Sequence, residues 1–147
     1  MKTTAHAPYR ILLVDDNRDG LLVRRACLEE LGHHVDIAEN ANQALQICAA
    51  GSVDVVVTDH CMPDMNGAEL IRRLRASDPK RRVILLSGFV EGMGLTEEST
   101  GADIVLMKSS HEVAHLARAV NRLMIGALKR KPPSPQKLSA KSRLSAR

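Results

Sequence analysis

Short aliphatic runs separated by longer amphipathic stretches set the rhythm of the chain. The runs are Ile11–Val14, Val53–Val57, Val83–Leu86 and Ile104–Met107, with a weaker one at Val35–Ala38. Within them apolar residues follow one another rather than alternating with polar ones. That is the pattern of strands covered on both faces, as in a parallel sheet. Parallel neighbours need crossover connections, and the stretches between the runs read as helices.

Residues 18–31 put Arg18, Arg25 and Glu29 on one polar stripe with Leu21, Leu22, Ala26, Leu28 and Leu31 elsewhere, and Gly32 stands where a helix stops. Residues 41–50 end likewise at Gly51. Asn66 is placed to cap a helix running through Ser77, which Pro79 closes. The last helix opens with Ser109 or Ser110 and Glu112 as a capping-box partner, then runs through Val113, Leu116, Val120, Leu123 and Ala127. The fourth crossover, residues 90–100, is the weak one. It holds Gly92, Gly94 and the polar run Thr96–Ser99, and each interior glycine costs a helix about 1 kcal/mol. A short or mobile helix is expected there. Five strands alternating with helices predict an α/β fold, an open five-stranded parallel sheet with helices on both faces.

Composition adds a boundary. With 147 residues, 44% of them hydrophobic and 26% charged, the chain has room for one globular domain and a tail. Residues 1–8 read as an N-terminal extension, 9–128 as the folded domain, and 129–147 as a disordered tail of Lys, Arg, Ser and Pro that cannot bury enough apolar surface to order itself. The net charge of +4 divides accordingly: the tail holds seven cations and no acid, which leaves the rest of the chain at −3. The tail's charge suits a nucleic acid or an anionic surface, and equally a solvated extension that maintains solubility. With no Trp, one Tyr (Tyr9) and one Phe (Phe89), the core must be aliphatic, and the composition argues against a base-stacking surface. Cys27, Cys48 and Cys61 are odd in number without paired spacing, and the N-terminal residues lack the apolar stretch of a signal peptide. The expectation is a cytoplasmic protein without structural disulfides or a membrane span.

The chemistry lies at the ends of the predicted strands. The first ends at Asp15-Asp16, the third at Asp59, the fourth at Ser87 and the fifth at Lys108. In open α/β sheets ligands sit outside the carboxyl ends of the strands, so these five residues should converge. Three carboxylates in one pocket repel one another unless a cation shares it. Mg²⁺ suits hard oxygen ligands and is often held by one or two carboxylates with phosphate oxygens. Lys108 supplies a second positive charge that can bind phosphate, and Ser87 a hydroxyl donor. What remains is a carboxylate nucleophile, and carboxylates do form aspartyl-phosphate intermediates.

Asp15-Asp16-Asn17, Asp59 followed by Met62-Pro63-Asp64-Met65-Asn66-Gly67, Leu86-Ser87-Gly88, and Gly101-Ala102-Asp103 leading to Lys108 together resemble the response-regulator receiver family of two-component signalling, over roughly residues 9–128. The resemblance implies a flavodoxin-like sheet and a signalling module rather than an enzyme. It implies that Asp59 accepts phosphate from a histidine kinase or phosphotransfer protein, and that Asp15, Asp16, Asp59 and the backbone carbonyl of Cys61 hold Mg²⁺. Lys108 pairs with the phosphoryl group and Ser87 turns inward to bind it. Output comes from docking to a downstream protein, from passing the phosphate on, or from the tail. Only 19 residues follow Leu128, too few for a helix-turn-helix output domain, so a stand-alone receiver is expected.

The chain departs from the family pattern in places. The switch position three residues before the lysine, usually aromatic, is Val105. Ser109 replaces the proline that usually follows the lysine, and the two positions that tune dephosphorylation are Cys61 and Phe89. Phe89, two residues after Ser87 and at the start of the glycine-containing segment, is therefore expected to carry the readout in place of an aromatic at 105. An aspartyl-phosphate hydrolase would carry an Asp two residues after its nucleophile, where Cys61 stands, which argues against that enzyme class. His111 and His115 stand four apart but have no evident third metal ligand, so both are expected to face solvent. His60 is expected at the surface, and Cys27 and Cys48 in the core.

Overall fold

The computed structural model describes residues 8–88, 92–109 and 112–129. Five strands and five helices alternate along the chain: β1 (Arg10–Val14), α1 (Arg18–Glu30), β2 (His34–Ala38), α2 (Ala41–Ala50), β3 (Val55–Asp59), α3 (Gly67–Ser77), β4 (Arg82–Ser87), α4 (Glu97–Thr100), β5 (Ile104–Met107) and α5 (Glu112–Lys129). All four strand pairings are parallel, in the order β2-β1-β3-β4-β5. The runs in β1, β3 and β4 are buried on both sides, whereas the edge strands leave His34 and Asp36 of β2 and Met107 of β5 exposed. Side chains of successive residues point to opposite faces. Ile11 and Leu13 of β1 enter a core cluster with Leu21 and Leu28 of α1 and Leu116 and Val120 of α5. Leu12 and Val14 enter a second cluster with Ala41 and Ala44 of α2 and Leu70, Ile71 and Leu74 of α3.

Helix ends follow the local chemistry. The side chains of Asn17, Asn40 and Asn66 accept hydrogen bonds from the backbone N–H groups of Gly20, Gln43 and Glu69, closing the first turns of α1, α2 and α3. α4 is a single turn of four residues, as the fourth crossover's glycines and polar run predicted, and it ends at Gly101, whose φ of 83° is a conformation that favours glycine. Asp64, in the loop before α3, reaches across to α2, where its carboxylate accepts from the N–H groups of Ala41 and Asn42 at 3.2 and 3.0 Å.

β1 borders both β2 and β3, so the chain leaves β1 to one side and returns on the other. The strand order therefore reverses at β1 and β3, and a crevice opens beyond their carboxyl ends. Among the described residues no helix is long and apolar enough to cross a membrane. The expected basic tail, apart from Lys129 in α5, lies outside the described residues, as do Phe89, Ser110 and His111.

Candidate functional site: a carboxylate cluster at the switch point

The ends of four strands deliver the charged groups. Asp15 and Asp16 follow β1, Asp59 is the last residue of β3, Ser87 the last of β4, and Lys108 follows β5. Their positions are held by the ladder itself, since Asp15 N–H donates to Ala38 at 3.1 Å and Lys108 N–H to the Ser87 carbonyl at 2.9 Å. One oxygen from each of Asp15, Asp16 and Asp59 comes within 4.8 Å of the others. Asp15, Asp59 and Ser87 are buried, whereas Asp16 is exposed at the mouth. Lys108 extends its Nζ between two of the acids, 3.0 Å from Asp15 Oδ2 and 3.2 Å from Asp59 Oδ1.

The two buried acids have opposite electrostatic fates. Burial works to raise the Asp15 pKa, but the Asn17 N–H, then Lys108, then Arg24 outweigh it and hold the group below the usual carboxylate range. At Asp59 burial, followed by the charge on Asp15, outweighs Lys108 and pushes the carboxyl above that range. Lys108, although burial acts against its charge, is raised by Asp15 and Asp59 and stays protonated. The cluster thus contains one settled carboxylate and one whose negative charge lacks compensation. A donor set of hard carboxylate oxygens at this spacing fits a hard divalent cation such as Mg²⁺, which would relieve the deficit at Asp59.

The loop after Asp59 is packed tightly against the site. A Cβ placed on Gly67 would fall 2.7 Å from the Asp59 carbonyl oxygen and 2.6 Å from Leu85 Cδ1. Only glycine lets the first turn of α3 approach so closely. This packing also corrects the expectation for His60. Its N–H donates to the Leu86 carbonyl at 3.1 Å, its carbonyl accepts from Gly67 N–H at 2.8 Å, and the residue is buried beneath the returning loop. Its Nδ1 is buried without a hydrogen-bond partner. Cys61 is exposed, Cys27 and Cys48 are half-buried, Cys48 packing against the second core cluster as expected, and His115 faces solvent as expected. Val105 is half-buried, and its N–H donates to the Glu97 carboxylate at 3.0 Å.

Arg24 is the residue that pattern reading missed. It lies on the buried stripe of α1, between Leu21 and Leu28, and its Nη1 donates to Asp15 Oδ2 at 3.1 Å. The signal was present in the chain: a cation at i+3 from one core leucine and four residues before another.

Known proteins share this fold. The response regulator receiver domain pattern matches residues 11–121. Virulence sensor protein BvgS of Bordetella bronchiseptica is 35% identical over 135 residues, covering 86% of this chain and 11% of BvgS, so the chain spans about a tenth of that protein's length. Response regulator receiver protein CpdR of Brucella abortus is 26% identical over 118 residues, 80% of this chain and 98% of CpdR. The crystal structure of response regulator protein TrrA from Thermotoga maritima in complex with Mg²⁺-BeF superposes with a TM-score of 0.71 at 30% identity, covering 78% of this chain and 98% of TrrA. TrrA in a crystal structure with the histidine kinase ThkA gives a TM-score of 0.70, also at 30% identity, covering 78% of this chain and 97% of TrrA. Because the family match runs from β1 into α5 and so takes in every strand of the sheet, the chain belongs to the response regulator receiver domain family of two-component signalling.

Proposed function

We propose that the domain is a phosphorylation switch whose acceptor is Asp59. The observation that carries this reading is the Lys108 ammonium set between Asp15 and Asp59, at a site where, of these two buried acids, Asp59 is the one left short of positive charge. In the proposed reaction an Asp59 carboxylate oxygen attacks the phosphorus of a phosphohistidine on a kinase or phosphotransfer protein. The new O–P bond replaces the N–P bond, and the imidazole leaves. Asp15, Asp16, Asp59 and the Cys61 backbone carbonyl would hold Mg²⁺, which when bound neutralises charge that gathers on the phosphoryl oxygens. Lys108 pairs with one of those oxygens, and the Ser87 hydroxyl donates to another after transfer. Catalysis on the receiver's side is thus positioning and charge neutralisation. Ser87, Phe89 and Val105 are assigned to the readout, through which a downstream protein would sense the phosphorylated state.

Incubation with acetyl phosphate and Mg²⁺, followed by intact-mass measurement, should add one phosphate to the parent chain. None should appear on Asp59→Asn or after chelation of the metal. Equal labelling of Asp59→Asn would refute the assignment.

A further inference from the structure

Arg24 is buried, 6% exposed, and its guanidinium spans two carboxylates from different parts of the fold. Its Nη1 donates to Asp15 Oδ2 at 3.1 Å and its Nε to Glu112 Oε2 at 2.6 Å. Asp15 belongs to the carboxylate cluster, whereas Glu112 opens α5, which shares a core cluster with α1. Space for this head group depends on Gly20 one turn earlier, where a Cβ would stand 3.3 Å from both terminal nitrogens of Arg24. A buried guanidinium is tolerated when its donors are matched by carboxylates, and here one partner is also a candidate cation ligand.

Asp15 has little spare capacity. Its Oδ1 accepts from Asn17 N–H at 3.0 Å, while Oδ2 already accepts from both Arg24 and Lys108, the latter at 3.0 Å. A divalent cation drawn to the cluster competes with these two cations for the same carboxylate. Lys108 has Asp59 as a second partner inside the pocket. Arg24 has its second partner outside it, on α5.

We propose that Arg24 is a positioning residue that couples cation occupancy of the Asp15–Asp16–Asp59 cluster to the first turn of α5 through Glu112. The inference rests on the reading of that cluster as a Mg²⁺ site. When the hold of Asp15 on Nη1 weakens, the guanidinium stays tethered through Nε and the change is felt at Glu112. A ligand biases an element only through interactions that differ between its states, and the shared carboxylate provides that difference.

The test is a Mg²⁺ titration of the full ¹⁵N-labelled chain followed by amide resonances. In the parent protein the amides of residues 112–116 should shift in step with those of residues 15–17. Arg24→Lys retains the charge but offers a point donor that cannot span both carboxylates. In that variant the amides of 15–17 should still titrate while the shifts at 112–116 fall to below about a third of their parent size. Glu112→Ala removes the tether without touching the cluster and should uncouple the remaining α5 amides in the same way. Shifts of parent size across α5 in both variants, or a parent α5 that never responds while residues 15–17 do, overturn the inference. No response anywhere in the parent at about 20 mM Mg²⁺ would instead overturn the metal-site reading, and this inference with it.

Discussion

Lys108 Nζ and Asp15 Oδ2 lie 3.0 Å apart although 93 positions separate them in the chain. The pair closes the carboxylate cluster from the β5 side, and the same ammonium reaches Asp59. Lys108→Met, which keeps the length of the side chain and removes its charge, should therefore slow labelling by acetyl phosphate about a hundredfold, in the range for loss of one preorganised charge partner. The metal-free fold should also lose about 1–2 kcal/mol, because two buried acids are left facing each other. Initial labelling rates and urea unfolding in the presence of chelator measure the two effects. Unchanged labelling would remove Lys108 from the proposed mechanism.

Asp59 should be a site where function costs stability. Its pKa in the folded state is raised, first by burial and then by Asp15, so between the ordinary carboxylate pKa and the raised one the native state binds more protons than the unfolded state. Stability therefore falls as pH rises through that window, and the penalty is complete once the pH lies above the raised pKa. Without metal at pH 7, Asp59→Asn should melt about 3 °C higher than the parent, equivalent to roughly 1 kcal/mol at this chain length. The difference should shrink when Mg²⁺ is added to both and when the pH is lowered toward 4. Thermal melts at pH 4 and 7, with and without metal, decide the matter, and a lower melting point for Asp59→Asn at pH 7 would contradict the electrostatic account.

Gly67→Ala places a methyl group within 2.7 Å of the Asp59 carbonyl and within 2.6 Å of Leu85. Overpacking of this kind costs about 1–3 kcal/mol. Since backbone atoms form part of the obstruction, α3 must move away from the site, and both stability and phosphorylation rate should decline. Gly51→Ala, where an added Cβ meets nothing within 4 Å, is the control and should leave phosphorylation intact. Comparable losses in the two variants would count against the close approach of α3.

For the readout, beryllofluoride with Mg²⁺ should produce large amide shifts across residues 87–100. Phe89→Ala should weaken docking to a downstream partner while sparing phosphorylation, and Val105→Ala should alter docking less. Val105 has no ring to rotate, and its N–H is already tied to Glu97 of α4, so a displacement of α4 can reach β5 through the backbone. If beryllofluoride perturbs the pocket but leaves residues 89–100 unchanged, a phosphate-relay role becomes the better reading.

Much of this protein was legible along the chain because its determinants are local. Continuous aliphatic runs mark strands buried on both faces, and the observed strands β1, β4 and β5 coincide with those runs to within a residue at either end. Asn66 and the glycines and polar run of the fourth crossover likewise act on their own helices, giving the capped start of α3 and the single turn of α4. The strand-end acids and Lys108 were found because a parallel α/β sheet obliges the ends of its strands to meet.

What the chain alone did not disclose depends on which surfaces the packed elements turn toward each other. Arg24 reads as one more helical cation until α1 is laid against the sheet and α5, when its head group enters the space above Gly20 between Asp15 and Glu112. His60 reads as a surface residue until the close approach at Gly67 folds the loop over it. Asp64 reads as part of a loop motif until it proves to hold the first turn of α2. Hydrophobic periodicity specifies which face of an element is buried. Which polar groups then meet is decided by distances of a few ångströms between segments remote in sequence, and only the packed tertiary structure sets those distances.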